Sequence, residues 1–274
     1  MKTFIRWPGN KSKHINKFKE FIPEFSGTYI EPFLGSGALF LYLKPEKWII
    51  NDLNKDLINI WNNVKSNSEE IITKFKHFGK KFKPLSKENK LKICRKLTSN
   101  IPAMDYDLNR AVIYLLMSNL CFMGIIKNNK FIFSNIDYPL KNENKFYIFS
   151  NKNYKNLELV NKFLNNSQGT IYNTSYEKIL KKAKNGDFVF LDPPYIEQTY
   201  YKFNYNKNEI LNNDFIDTLY NEVKQLDNKK VKWMMTQADT KEIRETFKEY
   251  TIKTFKAYRA AKRIYVNELV IMNY

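Results

Sequence analysis

The stretch Asp187-Phe-Val-Phe-Leu-Asp-Pro-Pro-Tyr195 limits what this chain can fold into more than any other part of it. Phe188 to Leu191 is a short, apolar, β-favouring run. Asn185-Gly186 opens it and Pro193-Pro194 closes it, so it reads as a buried strand that must stop at Asp192. Such a strand delivers a carboxylate and an aromatic ring to one end of a sheet. The two prolines fix φ twice in succession and remove two backbone donors, so the turn holds its shape and leaves its carbonyls to accept hydrogen bonds. The Asp192 carboxylate and the Pro193 carbonyl together suit an exocyclic amine. Each takes one N–H and turns the nitrogen lone pair towards an electrophile, while Tyr195 offers a face on which a base can stack. A rigid loop with a surface tyrosine accounts for the same residues, because short motifs match by chance.

Two further strand ends carry polar chemistry. Thr28 to Pro32 reads as a strand, Phe33-Leu-Gly-Ser-Gly37 as a tight turn, and Ala38 to Leu43 as the start of a helix. Gly35 and Gly37 let the backbone approach a ligand closely, with helix N–H groups beyond, although such a turn also serves as a plain connection. Trp48 to Asn51 reads as another strand, ending at Asp52. A carboxylate in that position commonly holds ribose hydroxyls, and the distance from Gly37 to Asp52 is shorter than the dinucleotide-binding pattern. No Gly-x-x-x-x-Gly-Lys occurs, so a P-loop ATPase is excluded.

With 274 residues the chain has room for one large domain, or for a core domain and a smaller lobe. Its net charge of +18 points to a polyanionic partner, and nucleic acid ranks ahead of a membrane surface because no basic helix shows a strongly apolar face. Abundant Lys, Asn and Ile, as an A+T-rich coding sequence produces, account for part of that charge. No apolar run approaches the ~18 residues needed to cross a bilayer and no signal-peptide core is present, so a soluble, cytoplasmic protein is expected. Cys94 and Cys121 lie in apolar, helix-like settings and read as core thiols. With His14 and His77 they make no metal-site spacing.

Between these landmarks the pattern predicts helices over 12–21, 54–66, 109–117, 154–164, 177–184, 214–226 and 239–247. It predicts strands over 170–173 and 231–236, and a terminal hairpin from 252–257 and 263–272. Strand 170–173, helix 177–184 and strand 188–191 form a β-α-β unit. Residues 67–100 are markedly basic and begin an inserted segment. Asn119 to Phe133 reads as a hairpin turning at Asn128-Asn129, with Lys127 and Lys130 towards phosphates and Asn119, Asn128 or Asn129 towards base edges. Tyr200, Tyr201, Phe203 and Tyr205 suit either a lid over an unstacked base or packing.

Arg6-Trp-Pro-Gly-Asn-Lys11, Tyr29-Ile-Glu-Pro-Phe-Leu-Gly-Ser-Gly37, Asn51-Asp-Leu-Asn54 and Asp192-Pro-Pro-Tyr195 stand in one order. In that order and spacing the chain resembles the Dam-like, D12-class α group of DNA adenine-N6 methyltransferases over nearly its whole length. The resemblance implies an α/β, Rossmann-like, S-adenosylmethionine-dependent core built from residues 1–65 and 155–274. Its sheet would be mostly parallel with an antiparallel C-terminal hairpin, and 66–154 would be a smaller, largely helical inserted target-recognition lobe. It implies cofactor contacts from Trp7, Lys11, Glu31, Pro32, Phe33, Gly35, Ser36, Gly37, Asp52, Ser175, Tyr176 and Asp192, and catalysis by Asp192, Pro193, Pro194 and Tyr195. DNA contacts would come from Asn119, Lys127, Asn128, Asn129 and Lys130. The implied reaction is site-specific transfer of a methyl group to N6 of an adenine flipped out of double-stranded DNA. Whether a cognate restriction endonuclease acts separately is left open by the sequence, as is the oligomeric state, for which a monomer is favoured. The family more often has Gly at Asn10 and Arg at Lys127. Cytosine-N4 or RNA-adenine methylation, and a catalytically silent DNA-binding protein, remain as alternatives.

Overall fold

All four side chains of the Phe188–Leu191 run are buried, as a strand with a parallel neighbour on each side requires. In the computed structural model, which describes residues 1–121, 124, 126–127, 130–133, 147–195, 213–259 and 264–274, this run is β6 of a seven-stranded sheet. The other strands of that sheet are β1 (Tyr29–Glu31), β2 (Lys47–Asn51), β5 (Gln168–Tyr172), β7 (Lys232–Ala238), β8 (Thr251–Arg259) and β9 (Ile264–Met272). Their order is β5-β2-β1-β6-β7-β9-β8, parallel through β7 and antiparallel across β7–β9 and β9–β8. Strands β5 and β6 of the expected β-α-β unit are therefore not neighbours; β2 and β1 lie between them.

The chain divides into two compact units, one of residues 11–34, 43–53 and 167–274 and the other of 1–10, 35–42 and 54–166. The first contains the whole sheet. Ile30, Val189, Leu191, Trp233, Met235, Leu269 and Ile271 share one face of it and pack in a single core with α8 (Tyr176–Leu180), α9 (Asn213–Asn228) and α10 (Lys241–Thr246). The opposite face carries Tyr29, Phe188, Phe190 and Phe255. Phe18 of the four-residue helix α1 (Ile15–Phe18) stacks there on Phe190 at 6.2 Å between ring centroids. The expected helix over 12–21 is broken into short pieces.

Two boundaries differ from expectation for visible reasons. Helix α8 stops at Leu180 and not near residue 184, because the Asp187 carboxylate draws the chain into a turn by accepting from the Lys184 and Thr28 amides. Helix α10 starts at Lys241 because Thr240 caps it, its hydroxyl accepting from Ile243; Asp239 pairs with Arg244 instead.

The other unit is helical, with α2 (Ala38–Leu43) at its edge and α3 (Lys55–Ser66), α4 (Ser68–Phe82), α5 (Lys87–Asn100), α6 (Leu108–Leu120) and α7 (Asn151–Asn166). Asn54 caps α3, whose apolar stripe of Leu57, Ile58, Ile60, Trp61 and Val64 is buried. The basic stretch from 67 to 100 resolves into α4 and α5, with most of its lysines on exposed faces. A two-residue hairpin, β3 (Ile126–Lys127) and β4 (Lys130–Phe131), stands where one was expected.

Candidate active site at the carboxyl edge of the sheet

In this sheet β1 is followed by β2 on one side and neighbours β6 on the other, so the direction of strand addition reverses between β1 and β6. Crevices at such switch points, beyond the carboxyl ends of parallel strands, are where open α/β sheets bind ligands. Glu31, Asp52 and Asp192 all stand at that edge, at the ends of β1, β2 and β6.

Asp192 is held by two side chains. The Lys11 ammonium donates to both of its oxygens, 2.6 Å to Oδ1 and 2.8 Å to Oδ2, and the Thr236 hydroxyl donates to Oδ1 at 2.7 Å. Lys11 is 3% exposed and Asp192 18%, so the carboxylate keeps partial access to solvent while the ammonium has almost none. The two prolines that follow end the strand, and Tyr195 beyond them is buried. Its ring is fully buried with the Lys11 ammonium 5.0 Å from its centroid and the Arg259 guanidinium 5.4 Å away. Its hydroxyl donates to Glu268 Oε2 at 3.1 Å. Glu268, 1% exposed, also forms an ion pair with Arg259 at 2.5 Å, close in distance but not aligned as a hydrogen bond.

Asn51 closes the apolar strand β2 and ties three strand ends together. Its amide donates to the Pro32 and Thr174 carbonyls at 2.9 and 3.0 Å and accepts from the Thr174 amide at 3.0 Å, while its own carbonyl accepts from Leu34. That clamp fixes the chain around Asp52, which is 2% exposed. Glu31 is equally buried and accepts from the Tyr29 hydroxyl at 2.7 Å. Burial, then the Glu31 charge, pushes the Tyr29 hydroxyl well above its ordinary range and keeps it a donor. Phe33 packs against Tyr176 at 5.0 Å between centroids. Tyr176 is buried, which raises its hydroxyl above the usual range, and Ser175 stands at the N-cap of α8 without making a capping bond.

In the helical unit, Gly35 and Gly37 have φ of +49° and +64°, a region that side chains with a Cβ avoid. A Cβ on Gly35 would come within 3.1 Å of Trp7 Cδ1, so the N-terminal Trp-Pro-Gly turn and the glycine turn belong to one local structure. Ser36 between them is buried. Asn119 lies in the last turn of α6, where its amide N–H groups donate to the Phe4 and Leu115 carbonyls. Lys127 and Lys130 pair across the small hairpin. Asn128 and Asn129 lie outside the described residues, as do the four aromatic residues between 200 and 205.

The sheet order and the strand-end carboxylates are consistent with a Rossmann-like methyltransferase. Residues 7–261 match the D12 class N6 adenine-specific DNA methyltransferases, and the chain belongs to that family. It is 28% identical over 301 residues to the type II methyltransferase M1.LlaDCHI of Lactococcus lactis subsp. cremoris, covering all of this chain and 96% of that protein. It is 26% identical over 295 residues to the type II methyltransferase M.MjaIII of Methanocaldococcus jannaschii, covering all of this chain and 99% of that protein. With a DNA adenine methylase of Vibrio cholerae it shares 24% identity over 199 residues, 71% of this chain and 65% of that enzyme. The resemblance carried by four motifs is thus borne out, and with it adenine-specific methylation of DNA, a reaction that requires a methyl donor. Among the described residues no helix is long and apolar enough to cross a membrane.

Sequence reasoning missed Thr236, Glu268 as the partner of Tyr195, and the Asn51 clamp. A threonine and a glutamate beside the apolar runs Trp233-Met-Met235 and Leu269-Val-Ile-Met272 were the available signals, because a buried polar group calls for a partner.

Proposed function

We propose that this chain transfers the methyl group of S-adenosylmethionine to N6 of an adenine turned out of a short duplex DNA motif, with Asp192 as the residue that receives the amine. The observation that carries this reading is the partly exposed carboxylate of Asp192, held on the sheet edge by Lys11 and Thr236 and followed by two prolines.

The donor residues fit that cofactor. Asp52 at the end of β2 suits ribose hydroxyls, and the positive φ of Gly35 and Gly37 is a backbone conformation that residues with a Cβ avoid. Trp7, Lys11, Glu31, Pro32, Phe33, Ser36, Ser175 and Tyr176 complete the proposed set, with Phe33 and Tyr176 supplying aromatic surface beside an adenine ring. S-adenosylmethionine supplies an electrophilic methyl group on a sulfonium, so the protein needs neither a covalent nucleophile nor a metal for activation. What remains for its own residues is positioning and charge. Asp192 accepts one amine N–H and the Pro193 carbonyl the other, which aims the nitrogen lone pair and offsets the positive charge that develops on nitrogen. Pro194 keeps that turn rigid; the Tyr195 ring is buried here, so stacking of the base on it requires that one of its faces, near Lys11 or Arg259, be uncovered. Turning the base out costs a few kcal/mol, offset by stacking and by phosphate contacts.

We assign those phosphate and base contacts to the segment 66–154, through Lys127, Asn128, Asn129 and Lys130. The carbonyl partners of Asn119 support a structural part for that residue. Two relatives named as type II methyltransferases support a cognate restriction endonuclease that acts separately. The reading expects the enzyme in the cytoplasm with its DNA. The test is Asp192→Ala, incubated with S-adenosylmethionine and unmethylated genomic DNA, with modified bases mapped by sequencing. N6-methyladenine in one short motif from the native protein, and none from the variant at equal DNA affinity, is expected; a methylating variant sinks the assignment.

A further inference from the structure

We infer that Thr236 is a positioning residue for methyl transfer: its hydroxyl, with Lys11, leaves Oδ2 as the oxygen of Asp192 that accepts the adenine amine. The inference rests on the proposed role of Asp192 and adds to it a residue and an orientation.

An ionised carboxylate has about four lone-pair sites, two on each oxygen. On Asp192 both sites of Oδ1 are used, by Lys11 at 2.6 Å and by Thr236 at 2.7 Å, while Oδ2 takes only the second Lys11 contact at 2.8 Å. Among the described residues, the remaining site is therefore on Oδ2. Lys11 alone cannot set this asymmetry, because an ammonium on a flexible stem meets either oxygen equally well. The hydroxyl can. Thr236 is fully buried in β7 between Met235 and Gln237, and its hydroxyl gives its proton to Asp192 Oδ1. It sits on a strand hydrogen-bonded to β6, with Leu191 opposite Met235, which brings residue 236 level with residue 192 on one face of the sheet. A β-branched side chain in a strand has few rotamers, so the hydroxyl is a fixed reference for the carboxylate plane.

The experiment compares Thr236→Val, Thr236→Ser and Asp192→Ala in single-turnover methyl transfer, with S-adenosylmethionine and duplex DNA affinities measured separately by calorimetry. A hydrogen bond to a charged group is worth about 1.5–3 kcal/mol, so T236V is expected to slow the transfer step about 10- to 100-fold. Both dissociation constants should stay within about twofold, and T236S should recover the rate to within about threefold. If T236V transfers at the native rate while D192A is inactive, the inference falls and the role of Asp192 stands. If D192A is active, the underlying reading falls first. A T236V variant that loses affinity as much as rate, or that T236S fails to rescue, shows a merely structural threonine. Should T236V lose its cooperative thermal transition, Thr236→Ala removes the hydroxyl without a replacing methyl and is read in the same way.

Discussion

Tyr195→Phe separates the two things that Tyr195 does. The ring, which the proposed mechanism uses for stacking, is kept, and only the hydroxyl that donates to Glu268 Oε2 at 3.1 Å is removed. Both partners are buried, Tyr195 fully and Glu268 at 1% exposure, so water does not replace the lost donor. Hydrogen bonds to charged groups contribute about 1.5–3 kcal/mol, and O–H donors to carboxylates lie nearer 2.5–2.7 Å when strongest. At 3.1 Å the lower end applies, so about 1.5 kcal/mol of stability is expected to be lost, or roughly 3–6 °C in Tm for a chain of this size. Single-turnover methylation by the same variant should stay within about threefold of native, because the stacking face is unchanged. The assay is urea unfolding of the native protein, Y195F, Glu268→Gln and the double variant, alongside methyl transfer. A coupling of about 1 kcal/mol between the two sites is expected, since contacting residues couple while independent ones add to within about 0.5 kcal/mol. Strict additivity, or a Y195F midpoint equal to native, would refute the reasoning.

Gly169 in β5 lies opposite Trp48 in β2, and an added Cβ would fall inside the indole ring, which Ser167 holds by a 2.7 Å hydrogen bond. Gly169→Ala is therefore expected to cost about 1–3 kcal/mol by overpacking, read as a lower urea midpoint; an unchanged midpoint counts against the packing described. His14 has its pKa lowered chiefly by burial, and Lys11, Arg259 and Lys13 act in the same direction while Glu268 opposes them. The unfolded chain then takes up a proton near pH 6.5 before the folded one does, so stability falls as pH drops from about 6.5 to the lowered folded value. His14→Gln should show a smaller drop in Tm between about pH 7.5 and 5.5 than the native protein, and equal drops would contradict this.

The strand at Phe188 to Leu191, the stop at Asp192 and the positive φ of Gly35 and Gly37 were legible because each follows from local chemistry: an apolar run, two prolines, a turn that only glycine adopts comfortably. The order of the strands was not, since the pattern that marks β5 and β6 as parallel strands leaves open that β2 and β1 separate them. Nor were the partners of Asp192, which come from 181 residues upstream in Lys11 and 44 downstream in Thr236. Local signals also misplaced one cap: Asp239 and Thr240 are both good N-cap residues, and the choice fell to Thr240 because Arg244 engages the aspartate.

The antiparallel hairpin at the C-terminus has a consequence for the active site. Side chains alternate along a strand, so slipping β7 by one residue against β6 would turn Thr236 to the helical face and bring Met235 or Gln237 level with Asp192. Neither replaces the threonine: one has no donor, and the other is too long for a hydroxyl's place. Hydrogen bonding between β6 and β7 extends over four residue pairs, Phe188 with Lys232 to Leu191 with Met235. Strand β9 pairs with β7 over a longer stretch, from Met234 with Met272 to Ala238 with Glu268, and places Leu269 and Ile271 in the same core as Trp233 and Met235. A slipped β7 would have to break that second register and expose those apolar side chains as well. The pairing that holds Glu268 under Tyr195 is thus also the pairing that keeps the Thr236 hydroxyl on Asp192, so substitutions that loosen β9 should impair methyl transfer from a distance.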